Sequence, residues 1–298
     1  MTRVLIEASG GLTSGYIINN LRKCGATIIA SDINPHNHSR LLCDEFVAMP
    51  SARSTGIREK LKDVVKANAI QLVVPSLDET LQDWAVLAEE NDLNTKVSIS
   101  PSKTIETFQD KWKAYEFFCN NGVSTPKTSL IAEYSLFKPR RGRGSSGIFQ
   151  DEELVDIPED YISQQFVNGV EYTIDCLFRN DGELVYCVPR KRLQIVSGKS
   201  VAGITENKKN IISEVLRISR LIKFSGMVNF QCIENEAGLF FIEVNPRLAG
   251  GMALGIAATE NWFELLIKNV VLDEKITASV SPTYPLKMYR YYNEVFTE

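Results

Sequence analysis

Apolar runs of strand length, each followed by a glycine or polar break and then a helical stretch, organise the first hundred residues. Thr2 to Ala8 predicts a strand, an amphipathic helix runs to about Lys23, Gly25 ends it, and Ala26 to Asp32 predicts a second strand. That is a βαβ unit. A helix from about Thr55 to Lys66 and a strand over 69–75 continue the alternation. Ser76-Leu77-Asp78-Glu79 follows at the carboxyl end, where open α/β sheets place ligands and where the same residues serve equally well to cap the next helix. Ser100-Pro101-Ser102 breaks the pattern. Beyond it one helix is expected from Lys103 to Asn120, and the chain then turns to β structure over 135–137, 161–167, 170–178 and 184–189. Asn168-Gly169 and Asn180-Asp181-Gly182 are the turns between them. A helix over 207–223 leads to two apolar runs, Met227 to Ile233 and Phe240 to Val244, joined by a hairpin turn over 234–238. Gly250-Gly251, helical stretches around 252–258 and 262–272, and a tail whose residues 283–298 add a last strand complete the chain.

The densest chemistry sits at the end of the last hairpin. Residues two apart on a strand share a face, so Glu243 and Asn245 point one way and Val244 the other. A carboxylate beside an amide oxygen offers hard ligands of the kind magnesium takes alongside phosphates. Pro246 stops the strand, and Arg247 just beyond it presents a fork of donors that matches a phosphate. Antiparallel pairing across the turn sets Gln231 near Glu243 as a third oxygen, although for Gln231 taken alone a buried amide bonded to backbone is the better reading. Arg190-Lys191-Arg192 is delivered by the strand ending at Pro189.

Two glycine stretches compete for a nucleotide. The first, Gly10-Gly11-x-x-x-Gly15, lacks the G-x-G-x-x-G spacing of a dinucleotide fingerprint, so the βαβ unit is expected to bind no dinucleotide. The second, Arg140-Arg141-Gly142-Arg143-Gly144-Ser145-Ser146-Gly147 after Lys138-Pro139, offers open backbone N–H groups amid positive charge, which suits a polyphosphate. It is not a Walker loop. A basic surface hairpin, or one that tracks a nucleic-acid backbone, has the same composition.

Bulk properties narrow the classes. The 298 residues suffice for one large or two to three small domains, and 44% hydrophobic content supports a sizeable core. A net charge of −4 argues against a broad nucleic-acid footprint. The six cysteines are scattered without a C-x-x-C pair, as in reduced cytoplasmic proteins, and no signal peptide or membrane-length apolar run is visible. His36 and His38 lie in a turn-like segment and are too few for a zinc site.

Taken in order, Asp110-Lys111, Phe137-Lys138-Pro139 with the glycine–serine loop, Gln164-Gln165-Phe166-Val167 followed by Glu171, then Gln231 and Glu243-Val244-Asn245-Pro246-Arg247 resemble the ATP-grasp superfamily. The likeness is to its carbamoyl-phosphate-synthetase-like carboxylate–amine ligases. The resemblance implies an α/β fold in which a Rossmann-like pre-domain (1–101) precedes a small lobe with a glycine-rich lid (102–169) and a C-terminal lobe with the metal site (170–298). It implies ATP between the lobes, with Lys111 and Lys138 on the phosphates or the adenine edge and Gly144, Ser145 and Ser146 toward the phosphates. Backbone of Gln165 and Val167 around Phe166 would meet adenine, the Gln164 side chain its amino group, and Glu171 the ribose hydroxyls. Gln231, Glu243 and Asn245 would hold magnesium, or manganese in its place, while Arg247 with Arg190 or Arg192 steadies the reacting carboxylate and phosphoryl group. The segment from Ile148 to Ser163 is shorter than the resemblance leads one to expect, and Gln164 and Gln231 stand where acids are common in such enzymes.

The chemistry implied is amide formation through an acyl phosphate, from a small-molecule carboxylate and an amine, with no nucleic acid or membrane involved and a homodimer as the assembly relatives often adopt. Other acceptors (ammonia, a thiol or bicarbonate) suit the same residues, as does a nucleotide-binding regulatory protein without turnover. An NAD-dependent oxidoreductase would leave the cluster at 243–247 without a role.

Overall fold

The computed structural model describes the chain apart from Asp92, Arg143, Ser145, Glu152, Leu154, Ser197, Gly198, Tyr292, Glu298 and the side chain of Lys199. The expected loop residues Arg143 and Ser145 therefore lie outside the described residues.

Alternation of strand and helix builds the first layer. It contains β1 (Arg3–Ile6), α1 (Ser14–Lys23), β2 (Thr27–Asp32), α2 (Ser39–Leu42), β3 (Glu45–Ala48), α3 (Ile57–Ala67), β4 (Leu72–Val74), α4 (Leu81–Glu90) and β5 (Lys96–Val97). The strands form a parallel sheet in the order β3-β2-β1-β4-β5. Both faces are covered, which is why its strands are apolar without alternation. Val4, Ile6, Ile28, Ala30, Leu72 and Val74 pack to one side. Leu5, Ile29 and Val73 pack to the other, against α3 and α4.

The single helix expected over 103–120 is two. α5 (Ser102–Gln109) and α6 (Lys111–Asn120) are separated by Asp110, whose backbone is extended. The break has a cause: the Asp110 carboxylate caps α6 by accepting from the N–H groups of Trp112 and Lys113 at 2.9 and 3.4 Å. Next comes a small antiparallel sheet of β6 (Thr128–Ser129), β7 (Leu136–Pro139), β8 (Phe149–Gln150) and β9 (Tyr161–Gln164), ordered β6-β9-β7-β8. Among the described residues no helix lies between β8 and β9.

The third part is built on β10 (Val170–Phe178), β11 (Leu184–Val196), β12 (Lys199–Thr205), α7 (Lys209–Ser219), β13 (Gly226–Asn235), β14 (Gly238–Asn245), α8 (Ala253–Ala257), α9 (Trp262–Leu266) and β15 (Lys287–Tyr289). Its sheet runs β14-β13-β10-β11-β12-β15. The strand expected to end at Pro189 continues to Val196, so Arg190 and Arg192 stand on a strand rather than beyond one, and β12, absent from the sequence reading, pairs with it. One face is apolar. Tyr172, Ile174, Cys176, Phe178, Val228, Phe230, Phe241 and Val244 pack there with α6 and α7 residues. The cluster on the Val4 side of the first sheet also joins that sheet to this lobe, since Val4, Ile17 and Leu21 share it with Leu248, Met252 and Trp262. That shared core holds the loops after β1 and β4 against the polar face of the large sheet. Among the described residues no helix is long and apolar enough to cross a membrane.

Candidate active site

Cross-strand register assembles the polar face. Thr173 lies opposite both Arg190 and Gln231, Gln231 lies opposite Glu243, and Asn229 opposite Asn245. A β-bulge makes this possible. The ladder slips between Gln231 and Cys232, so Phe241 pairs with Cys232 while Glu243 pairs with Gln231, leaving Ile242 as the extra residue. Strict alternation would put Phe241 on the same face as Glu243 and Asn245; the bulge lets Phe241 and Val244 both enter the core.

The bulge is what gathers the oxygen ligands beside the arginines. A cavity of about 480 Å³ is lined by Gln231, Glu243, Asn245, Arg190, Arg192 and Arg247, with Gly144 of the glycine loop at its rim and the 6–14 segment closing the far side. Gln231 bridges two of these groups. With its amide oriented by its neighbours, Nε2 donates to Glu243 Oε2 at 3.1 Å and Oε1 accepts from Arg192 Nη2 at 2.9 Å. To ligate a cation, that amide must turn its oxygen away from Arg192. The Glu243 carboxylate needs no such turn, whereas Asn245 Oδ1 accepts from Arg247 Nη2 at 3.4 Å.

Each arginine is held differently. Arg192 meets Glu171 at 3.2 Å and donates through Nε to the Thr173 hydroxyl at 3.0 Å. Arg190 lies deeper, 2% exposed, and its Nε donates to Asp175 Oδ2 at 2.7 Å. Asn229 donates to the other oxygen of Asp175 at 2.8 Å. Arg247 forks onto Asp78, with both donor distances 2.6 Å. Asp78 is thus an arginine clamp rather than a simple helix cap. Its loop is ordered by Glu7 of the first segment, a buried carboxylate that accepts from the N–H groups of Ser76 and Leu77 at 3.2 and 3.1 Å. Glu7 also accepts from Thr80 and Trp84, at 2.7 and 3.0 Å. Burial raises the Glu7 carboxyl above its usual range despite those donors.

The residues expected to meet a nucleotide lie across the glycine loop. Lys111 reaches Glu243 at 3.7 Å and the Gly142 carbonyl at 3.4 Å. Lys138 donates to Gln164 Oε1 at 2.7 Å, and Gln164 Nε2 donates to Thr128 at 2.9 Å. Both ends of that amide are therefore engaged. The Gln165 N–H donates to Lys127 O at 2.8 Å, while among the described residues the Gln165 carbonyl and the Val167 backbone make no hydrogen bond, beside a half-exposed Phe166. Arg140 is committed to Asp110 at 2.7 Å and acts as part of the α6 cap rather than as a mobile phosphate ligand. Ser146 is exposed in the loop turn, and Gly144 there has φ +63°, a conformation that suits glycine. In the first glycine stretch, Asp32 accepts from the N–H groups of Gly10 at 2.8 Å and Asn34 at 2.9 Å. That acid is thus engaged in ordering its own loop.

Burial pushes Lys138 down to about 8, with Lys111 adding to the effect and Glu243 and Glu171 opposing it. The unfolded chain keeps this proton to a higher pH, so between about 8 and the ordinary lysine value unfolding takes up a proton and rising pH favours the folded state. Nucleotide binding runs the other way, because phosphates select the protonated amine. The dissociation constant for ATP should therefore rise about tenfold per pH unit above about 8, as measured by calorimetry from pH 7 to 9.5, and Lys138→Met should flatten the profile.

Glycine packing protects the Arg190–Asp175 pair. A Cβ at Gly255 would fall 2.7 Å from the Asp175 Cβ. Gly255→Ala should thus destabilise the fold by about 1–3 kcal/mol through overpacking. The check is the denaturant midpoint, and an unchanged midpoint would mean that the pair yields freely.

Two family models match separate parts of the chain: a PylC-like N-terminal domain over residues 4–101, and the ATP-grasp family in the biosynthetic pathway with the Ter operon over 158–293. The chain belongs to the ATP-grasp superfamily. The chain is 24% identical over 227 residues to tyramine–L-glutamate ligase of Methanocaldococcus jannaschii, covering 73% of this chain and 68% of that protein. Coenzyme gamma-F420-2:alpha-L-glutamate ligase of Methanococcus maripaludis is 26% identical over 222 residues, covering 63% and 76%. Among solved structures, the biotin carboxylase domain of Hydrogenobacter thermophilus 2-oxoglutarate carboxylase, in complex with MgADP, ADP and bicarbonate, superposes with a TM-score of 0.71. Its identity is 15%, and the match covers 92% of this chain and 70% of that one.

An ATP-grasp chain takes ATP with Mg²⁺, and the residues of this ATP-grasp protein fit both. Among the described residues no cluster of three or more acidic, histidine or cysteine ligands forms a protein cage. Magnesium does not want one, since it binds through one or two carboxylates and completes its shell with phosphates and water. Two side chains of the site were not singled out from the sequence: Glu7, which orders the 76–80 segment, and Arg290, which enters the cavity from the tail; Asp78, named there with its neighbours, turns out to reach across to Arg247. Asp175 alone had a local signal, in the polar alternation Glu171, Thr173, Asp175 along β10.

Proposed function

We propose that this ATP-grasp enzyme activates a small-molecule carboxylate with ATP and passes the acyl group to an amine, releasing ADP and phosphate. One juxtaposition carries the reading: cation-holding oxygens of Glu243 and Asn245 open onto the same cavity as the guanidiniums of Arg192 and Arg247. Nucleotide binding alone has no need of a chamber beyond the phosphates lined by arginines. MgATP, when bound, supplies the phosphoryl group, and its cation screens the phosphate oxygens from an incoming anion. Lys111 and Lys138 hold the phosphate chain. Arg192 and Arg247 draw the carboxylate into line, so that its oxygen bonds to the γ-phosphorus as the bond to ADP breaks. The amine then bonds to the acyl carbon, phosphate leaves, and the nitrogen gives up a proton. The loop bearing Gly144 would close over the chamber and keep water from the acyl phosphate. Both curated relatives are named as ligases of glutamate, which supports a carboxylate–amine pair.

A second reading has bicarbonate in the carboxylate's place, favoured by the bicarbonate in the Hydrogenobacter thermophilus complex. Hydroxylamine separates the two. Purified protein with MgATP and hydroxylamine, screened against amino acids and other carboxylates, should form a hydroxamate and ADP. ADP release that requires only bicarbonate would favour carboxylation. Nucleotide binding with no ADP under any condition would sink both. A homodimer, which the family likeness suggests, predicts twice the chain mass by light scattering.

A further inference from the structure

Four arginines line the cavity, and three are matched by a carboxylate: Arg190 by Asp175, Arg192 by Glu171 and Arg247 by Asp78. The fourth, Arg290, has no ion pair among the described residues. Its guanidinium donates to the Thr13 hydroxyl at 3.3 Å and to the Gly250 carbonyl. Thr13 itself donates to that carbonyl at 2.7 Å. The half-buried Arg290 is therefore anchored but not neutralised. Burial, and then the charge of Arg190, push it below the ordinary arginine value.

Arg190 adds a second unmet demand. Its Nη1 is buried and has no hydrogen-bond partner among the described residues. A buried charged donor without an acceptor is costly and rare. Gly251 lies so close that a Cβ there would fall 2.3 Å from Nη2 and 2.7 Å from Nη1. Residues Gly11, Thr13 and Ser14, at the positive end of α1, reach the same cavity. Three distant stretches of chain thus bring positive charge and donors to one end of it. That end is remote from the phosphoryl site: Arg190 stands three strands from Glu243 along one cross-strand row, about 14 Å at ordinary strand spacing.

We propose that Arg290, Arg190 and the N-terminus of α1 form a subsite for an oxyanion, a carboxylate or phosphate, carried by the organic substrate distal to the reacting carboxyl group. The substrate is then an extended small molecule with a second anionic group. Only the identity of the molecule that brings the oxyanion rests on the ligase reading; the binding itself does not.

The experiment separates the two. The full chain is first titrated with a non-hydrolysable ATP analogue and Mg²⁺, which tests nucleotide binding on its own and fills the phosphate positions near Lys138. Calorimetry with inorganic phosphate and, separately, with glutarate then probes the far end. One or both should bind at a single site, at least tenfold more weakly in Arg290→Gln with the analogue affinity unchanged, and Arg290→Lys should recover part of the loss. Phosphate alone binding assigns a phosphorylated substrate, and glutarate alone assigns a dicarboxylate. Binding of neither probe to the unaltered chain, or equal binding to both Arg290 variants, would overturn the proposal.

Discussion

Glu243→Ala should lower ADP formation by about 10³-fold or more, the scale expected when the group that fixes a catalytic cation is removed. The side chain stands where the bulged strand meets the cavity, with Lys111 at 3.7 Å and the Gln231 amide beside it. Its loss takes away the carboxylate of the proposed cation site and leaves two amides, which bind magnesium poorly without a charged partner. The diagnostic measurement is ATP affinity with and without Mg²⁺. The unaltered protein should bind ATP more tightly when magnesium is present, and the variant should lose that difference while its magnesium-free affinity stays close to normal. Unchanged turnover, or a magnesium effect of the original size, would falsify the metal assignment.

Arg247→Gln should depress ADP formation by about 10²–10³-fold, the usual range for losing one preorganised charged donor at a reacting centre. ATP affinity should shift much less. The side chain is clamped on Asp78, so its guanidinium is already oriented when substrate arrives, and little ordering remains to be done at that step. Arg247→Lys should recover only a small part of the rate, because an ammonium cannot fork onto a carboxylate and a phosphate in a fixed plane. Asp78→Asn supplies the second test. If the clamp positions Arg247, this variant should raise KM for the carboxylate and lower kcat while magnesium-dependent ATP binding is retained. Turnover indifferent to all three substitutions would remove Arg247 from the chemistry.

Local pattern carried a good deal of this molecule. The apolar runs at 2–8, 26–32 and 69–75 become strands because the segments are buried on both faces, and the hairpin ending at Glu243 follows from two β-prone runs around a short turn. The order of Lys138, the glycine loop, Glu171, Gln231 and Glu243-Val244-Asn245-Pro246-Arg247 was enough to suggest the superfamily. Two acids needed the tertiary structure. Asp110 divides a stretch whose periodicity favours one helix, because its carboxylate satisfies two N–H groups as an N-cap and binds Arg140 as well. Asp78, open from its position to capping or to facing a ligand, holds Arg247, whose place 169 residues away no window along the chain could supply.

What the chain determined by itself is therefore its kit of elements and the identity of the groups at their ends, since burial periodicity, turn chemistry and capping act over a few residues. The tertiary structure alone decided which of those groups meet. The bulge at Ile242 puts Glu243 and Asn245 on the polar face, the core shared between the first sheet and the last lobe brings Glu7 and Asp78 to Arg247, and pairing of β15 with β12 carries Arg290 into the cavity. The physical reason is register: a one-residue slip reverses every side chain on a strand, and packing between distant segments, not local composition, selects the register that is kept.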